Sequence, residues 1–374
     1  MDERVLAEQL IAYDTSTEDG LRRAGAFVKG WLEARDLPVR EIDHNGLPVL
    51  LAHAGPEHAP HVIFHGHLDV VPAHADQFCA RVQGDRLYGR GAYDMKGALG
   101  AMMCALRDAG EQDRVRVTLV CVPDEESEDT QRRAIDALLA DGLHGDFAIT
   151  GEPTDLHIGV EAKGVLAVRL ELSGTAAHGS TPWLGDNAIL KAHDAFRRIE
   201  TLPFSRESSE LFDRPSINLA RIEGGDAFNK VPDRCLIEVD IRYLPEQDPE
   251  QILGQIRAID DLQLKGCFIH PPATVSRTDP GVLALCAAVA RQQGDEVLSV
   301  GRDGASDALS FLRAGIAAVE FGPVGAGHHG PKEWVSLSSL VSYRQALGDF
   351  VDLLPDWYAG STGGASAPDT LPSG

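Results

Sequence analysis

Two kinds of apolar pattern divide the chain. Toward both ends, short, nearly continuous apolar runs recur at 62–64, 115–122, 147–150 and 316–321, alternating with helix-like stretches such as 96–109 and 280–293. Runs of this kind predict strands buried on both faces, hence a parallel sheet covered by helices on each side. In the middle the period changes to two. Leu166, Val168, Leu170 and Leu172 alternate with Ala167, Arg169, Glu171 and Ser173, and Ile237, Val239 and Ile241 alternate with Glu238, Asp240 and Arg242. That alternation predicts an antiparallel sheet with one wet face. Helix-like segments at 187–200 and 249–260 and a last strand at 262–269 complete the order strand, helix, two strands, helix, strand, a ferredoxin-like unit.

The expected fold class is α/β with an insertion. An α/β domain in two segments, 1–164 and 275–357, is interrupted by an α+β unit at 165–274. The stretch after Trp357, AGSTGGASAPDTLPSG, is small, polar and rich in Gly and Pro, so 358–374 is expected to be disordered.

Charge narrows the function. Lys and Arg number 34 against 57 Asp and Glu, a net charge of −23. Such a surface repels nucleic-acid phosphates and anionic lipid. No apolar stretch reaches the roughly 18 residues that would cross a bilayer. The start, MDERVLAEQL, has early acids and no apolar signal core, so a cytoplasmic protein is expected. The cysteines at 79, 104, 121, 235, 267 and 286 form no CxxC pair, and most stand in apolar runs, which suggests reduced, buried thiols.

Metal-capable residues follow the apolar runs. His67 and Asp69 come after the first, Glu125 and Glu126 after the second, Glu152 after the third, and His328 and His329 in the loop after the fourth. Singly, each has a plainer reading: a surface His–Asp pair, a solvated acidic run at 124–129, a Gly-Glu-Pro turn, a decorated loop. Jointly they place His and carboxylate at several strand ends, where open α/β sheets bind ligands. Asp69, two residues from His67 on extended chain, can orient it. The loop Gly89-Arg-Gly-Ala-Tyr-Asp94-Met-Lys-Gly97 lacks the Gly-Lys-Ser/Thr of a phosphate loop and has Asp94 where the dinucleotide pattern needs glycine. A carboxylate on that loop suits a group bridging two cations.

The stretches HGHLDVVP, GRGAYDMKG, PDEES, GEP, SGTAAHGSTPWLGDNAI and HGPKEW, in that order, resemble the co-catalytic zinc peptidase and deacylase family. That family includes acetylornithine deacetylase, succinyl-diaminopimelate desuccinylase, aminoacylase and carboxypeptidase. The resemblance spans about 10–350. It implies that His67 and Glu152 bind one metal, that Glu126 and His329 bind the other, and that Asp94 bridges both. It makes Glu125 the general base and His178 a donor to the substrate carbonyl oxygen, with Asn229, Arg242, Gly304 and Ser306 near the substrate. Two divalent ions are implied, zinc with cobalt or manganese as alternatives. The implied reaction removes an acetyl or succinyl group from an N-acylated amino acid by attack of a water shared by both metals. Metallo-aminopeptidase, dipeptidase or carboxypeptidase action on short peptides is the alternative. The block RDGASDALSFLRAGIAAVEFGPV looks most like the desuccinylase branch, though Ala305 and Ala308 depart from its usual pattern, which leaves both acyl groups open. A homodimer through the inserted unit is the implied assembly, with no nucleic-acid or membrane partner.

Overall fold

The computed structural model describes residues 3–126, 133–294 and 299–362. Its described residues fall into two compact units, one drawn from 1–160, 275–299 and 307–374, the other from 161–274 and 300–306.

The first unit is built on a mixed sheet. Its strands are β1 (Val39–His44), β2 (Leu47–Ala54), β3 (His61–His67), β4 (Arg116–Val122), β5 (Phe147–Thr150), β6 (Ile158–Ala162) and β7 (Ala317–Glu320). They lie in the order β1-β2-β4-β3-β5-β7-β6. The apolar runs supply the parallel centre, β4-β3-β5-β7. Antiparallel strands flank it on both sides, which the sequence pattern did not separate from the parallel ones. Every residue of β3 is buried. One face packs Val49, Ile63, Val120 and Ala148 against Ile135 and Leu138 of helix Ala134–Ala140 and Phe311 of helix Ala308–Arg313. On that chain also lie helices Gly97–Ala109, Pro280–Gln293 and Leu337–Thr362, which pack on one another. Asp279 caps the second of these, its side chain accepting from Gly281 N at 2.8 Å, with Pro280 in the first turn. No helix among the described residues is long and apolar enough to cross a membrane.

Helix Leu337–Thr362 corrects the sequence expectation at the carboxyl end. It runs past Trp357 into the stretch read as disordered, and Tyr358 Oη donates to Asp146 O at 3.2 Å. A side-chain hydrogen bond ties the helix down beyond where composition alone would stop it. The remaining tail, 363–374, lies outside the described residues, as do Ser127–Asp129 of the acidic run.

The second unit is a four-stranded antiparallel sheet of Ser216–Gly224, Arg234–Tyr243, Gly164–Ser173 and Leu262–His270, in that spatial order. Helices Ala188–Ile199 and Pro249–Arg257 cover one face. The alternating set Leu166, Val168, Leu170, Leu172, Ile237, Val239 and Ile241 forms the core against them. The chain order and strand order are those of a ferredoxin-like unit. Of the cysteines, Cys104, Cys121 and Cys235 are buried and Cys286 is half-buried, whereas Cys79 and Cys267 are exposed, contrary to a uniformly buried set. Cys267 stands on the edge strand Leu262–His270, opposite Val168 and just past an irregularity in the register, in a run of four exposed residues.

Candidate functional site

In the first unit the parallel strands β4-β3-β5-β7 are neighbours, so their carboxyl ends open on one side of the sheet. β3 ends on His67, with Asp69 just beyond. β4 leads to Glu125 and Glu126, β5 to Glu152, and β7 to the loop carrying His329. Asp94 stands in the turn Ala92–Lys96 that opens helix Gly97–Ala109; the Asp94–Met95 peptide is cis. Glycine makes room beneath the cluster: a Cβ on Gly66 or Gly151 would meet Met95 Cε at 2.7 or 2.4 Å.

The side chains converge as two overlapping sets. His67 Nε2 lies 3.0 Å from Asp94 Oδ1 and 3.6 Å from Glu152 Oε1. His329 Nε2 lies 2.8 Å from Glu126 Oε1 and 3.4 Å from Asp94 Oδ2. Asp94 thus offers a different oxygen to each histidine. In each set the donor atoms lie within 4.8 Å of one another, so a single cation can be reached by all three. Glu152 Oε1 is buried without a hydrogen-bond partner among the described residues.

The orienting contacts are specific. His67 Nδ1 sits 2.9 Å from the main-chain oxygen of Asp69. A carbonyl can only accept, so the proton is on Nδ1 and Nε2 faces the carboxylates. The Asp69 carboxylate is 3.5 Å from the same nitrogen, and its main work is elsewhere. Its Oδ1 accepts from Glu125 N at 3.1 Å and its Oδ2 from Glu126 N at 2.7 Å. Asp69 therefore orients His67 through its backbone and fixes the Glu125–Glu126 turn through its side chain.

Crowding of like charge sets the ionisation. Burial, then the nearby Asp94 charge, pushes Glu152 well above the ordinary carboxylate range. Burial, then the Asp307 charge, raises Glu125 to about 8. Burial opposes ionisation of Asp94 too, but hydrogen bonds from His329 and His67 outweigh it and hold that carboxyl low. Hydrogen bonds to Asp94 and Glu126 raise His329 to about 10. Burial disfavours charge on His67, yet Asp69 and Asp94 overcome it and raise the imidazole well above its usual value. Buried carboxylates in this excess call for cations.

Sequence reasoning missed several supporting residues. Glu333 accepts from Arg90 Nη1 at 2.7 Å and Gly91 N at 3.0 Å with one oxygen, and from Tyr93 N at 3.0 Å and Asp94 N at 3.1 Å with the other. Arg90 Nη2 also donates to His329 O at 3.1 Å, tying the two loops that carry Asp94 and His329. Arg133 and Asp307 pair with each other, and Arg133 Nη1 reaches Glu125 Oε1 at 3.3 Å. The Arg90–Glu333 and Arg133–Asp307 pairs have no spacing signal, because the partners are distant in sequence. Asp307 even reads as a helix cap, but its side chain caps nothing.

The other predicted residues belong to the second unit. His178 and Asn229 are on adjacent strand-like segments: Gly179 N donates to Asn229 O at 2.7 Å, and His178 is bridged to Lys230. His178 is exposed, and its Nδ1 accepts from Ser180 N at 3.1 Å, which puts the ring proton on Nε2. Arg242 Nε lies 3.1 Å from both carboxylate oxygens of Asp240. Ser306 is buried and Gly304 exposed.

The chain matches Peptidase family M20/M25/M40 over residues 63–352. It is 32% identical over 292 residues to a putative succinyl-diaminopimelate desuccinylase of Mycobacterium tuberculosis, covering 76% of this chain and 79% of that one. Its fold is similar to an M20 family metallo-carboxypeptidase from Sulfolobus solfataricus, with a TM-score of 0.74 at 20% identity over 95% of this chain and 100% of the other. It is similar also to a Bacillus subtilis protein described as a dinuclear metal binding peptidase from the M20 family, with a TM-score of 0.69 at 15% identity over 95% and 98% of the two chains. The ordered histidines and carboxylates at the sheet's carboxyl edge and the match over most of the sequence lead to one conclusion: this chain belongs to the M20/M25/M40 peptidase family and is a metal-dependent hydrolase of amide bonds.

Proposed function

We propose that the enzyme is a deacylase that removes an acetyl or succinyl group from the nitrogen of an amino acid. The observation that carries this reading is the pair of donor sets sharing Asp94, with Glu125 beside them and its carboxylate paired with Arg133 instead of a histidine. The similarity to a putative desuccinylase over three quarters of the chain supports the acyl-amino-acid substrate class.

Two divalent cations fit the donors. Imidazole nitrogen with carboxylate oxygen suits zinc, and cobalt or manganese as alternatives, and the orphaned Glu152 Oε1 is a ligand atom awaiting a partner. His67 and Glu152 would hold one ion, Glu126 and His329 the other, and Asp94 both. When bound, such ions polarise the scissile carbonyl and make water a stronger acid. Glu125 takes the proton from the attacking water and returns it to the leaving amine, a role that a partly buried carboxyl with a raised pKa of about 8 suits. His178, with its proton on Nε2, donates to the carbonyl oxygen as charge develops there. Arg242 receives the substrate carboxylate, held in place by Asp240. Asn229, Gly304 and Ser306 line the substrate's path.

The inserted unit acts as a lid and as the dimer contact. Its edge strand Ser216–Gly224 has no partner on one side among the described residues, and Trp183, Leu184, Leu190, Ile222 and Phe228 of the same unit are exposed. A second copy would pair that edge and cover those side chains. Buried thiols at Cys104, Cys121 and Cys235 agree with a cytoplasmic location.

The test is a panel of N-acetyl and N-succinyl amino acids against dipeptides and tripeptides, with and without chelator, beside metal analysis of the purified protein. Chelator-sensitive release of acetate or succinate supports the reading. Turnover confined to peptides replaces it with the peptidase alternative.

A further inference from the structure

Glu125 and Glu126 are adjacent and chemically alike, and their backbone nitrogens are clamped on the two oxygens of one carboxylate, Asp69. Their side chains nevertheless part. Glu126 Oε1 meets His329 Nε2 at 2.8 Å, inside a donor set. Glu125 Oε1 meets Arg133 Nη1 at 3.3 Å. We infer that Arg133, braced by Asp307, is a positioning residue that keeps Glu125 out of the cation donors and so leaves it free to carry protons. This inference rests on the role given to Glu125 above.

The brace is built from the inside outward. Asp307 is buried, and its Oδ1 pairs with the same Arg133 nitrogen that reaches Glu125. Its Oδ2 lies 3.9 Å from Nδ1 of His65, a wholly buried histidine whose ring nitrogens make no hydrogen bond among the described residues. The Phe311 ring stands edge-on to His65 at 5.4 Å. Asp307 precedes helix Ala308–Arg313 yet caps none of its nitrogens, so its carboxylate is committed to Arg133. Close by stand Asp307 itself, Glu126 and Glu152, all of which repel a charged Glu125. The attractive charges are His67 and the arginine, and the arginine is the one its carboxylate reaches. A guanidinium stays charged at any working pH and gives up no proton, so it can hold the carboxylate without competing for the proton being moved.

The experiment is isothermal titration of the metal-free protein with zinc, together with kcat and KM, for wild type, Arg133→Ala, Asp307→Asn and the double variant Arg133→Ala/Glu125→Ala. Released Glu125 joins a donor set, so Arg133→Ala is expected to bind one zinc about tenfold more tightly, about 1.4 kcal/mol. That gain is expected to vanish in the double variant. The kcat of Arg133→Ala is expected to fall by roughly 10–100-fold with KM within about threefold, and added guanidinium to restore part of the loss. Asp307→Asn should move both quantities the same way by less. Should Arg133→Ala fail to fold, Arg133→Lys, which keeps the charge and shortens the reach, takes its place in the same titration. Identical zinc isotherms with and without Glu125 on the Arg133→Ala background would overturn the inference. Full turnover by Glu125→Gln would instead remove the proton-carrier role, and the isotherms would still decide what Arg133 does.

Discussion

At the amino end of β3, His61 Nε2 lies 2.6 Å from Thr118 Oγ1, which also meets His53 Nδ1 at 2.8 Å, while Asp146 accepts from His61 N at 2.7 Å. At the carboxyl end of the same strand, His67 faces Asp94 and Glu152. Both ends bury histidine beside polar partners, but the ionisation runs opposite ways. Burial, then Arg116, lowers His61 to about 4, and burial also lowers His53. Carboxylates raise His67 and His329. The amino end shares one hydroxyl between two neutral rings and needs nothing more. The carboxyl end holds more carboxylate oxygens than its own donors can answer. A buried histidine is thus a structural residue or a ligand according to the balance around it, and the balance is visible only after folding.

The largest effect that would sharpen this contrast comes from Glu125→Gln. Turnover is expected to fall by about 10²–10⁴-fold, while metal analysis still finds two ions. Loss of an ion on that substitution would show that Glu125 belongs to the donor set.

Removing metal tests the excess charge directly. In the metal-free protein, Glu125 at about 8 and the raised Glu152 bind more protons folded than unfolded, so their contribution weakens as pH rises above the ordinary carboxyl range. His329, at about 10, adds a loss above pH 6.5 in the same direction. The melting temperature in chelator is therefore expected to drop between about pH 5 and 8. Zinc at 100 times its Kd should restore about 2.7 kcal/mol. A chelated protein whose melting temperature rises steadily over that range would contradict the charge imbalance.

Glu333→Gln comes next. It leaves Arg90 buried without its anion and weakens the clamp on Gly91, Tyr93 and Asp94. Breaking a buried pair of this kind costs about 3–5 kcal/mol. Calorimetric melting should show that loss, with weaker zinc binding because Asp94 is no longer held. Unchanged zinc affinity would mean that the loop positions Asp94 without Glu333.

Much of this site was legible before folding because strand ends announce themselves. A buried strand must be apolar and its exit need not be, so His67, Glu125, Glu152 and His329 each follow an apolar run. The alternation in Leu166–Leu172 likewise revealed the second sheet, since a half-wet sheet imposes period two. What stayed hidden is whatever depends on pairing at a distance. Arg90 meets Glu333 across most of the chain, and Arg133 meets Asp307 across 174 positions. The antiparallel flanks of the first sheet were hidden too, because a strand buried on both faces carries the same apolar run in either direction.

The smallest expected effect lies at the amino end and separates the two ends most cleanly. His61 is neutral when folded and readily protonated when unfolded, so stability is lost as pH falls from about 6.5 toward 4. Replacing it by glutamine keeps a hydrogen-bonding group near Thr118 and removes the titration. The difference in melting temperature between wild type and His61→Gln, both metal-free, cancels the contribution of the carboxyl end. Over that acid range the wild type should lose roughly 2–4 °C relative to the variant, the shift that about 1 kcal/mol produces in a domain of 150–250 residues. Parallel pH slopes would mean that the His53–Thr118–His61 group accepts a proton without penalty, and that the two ends of β3 differ in composition alone.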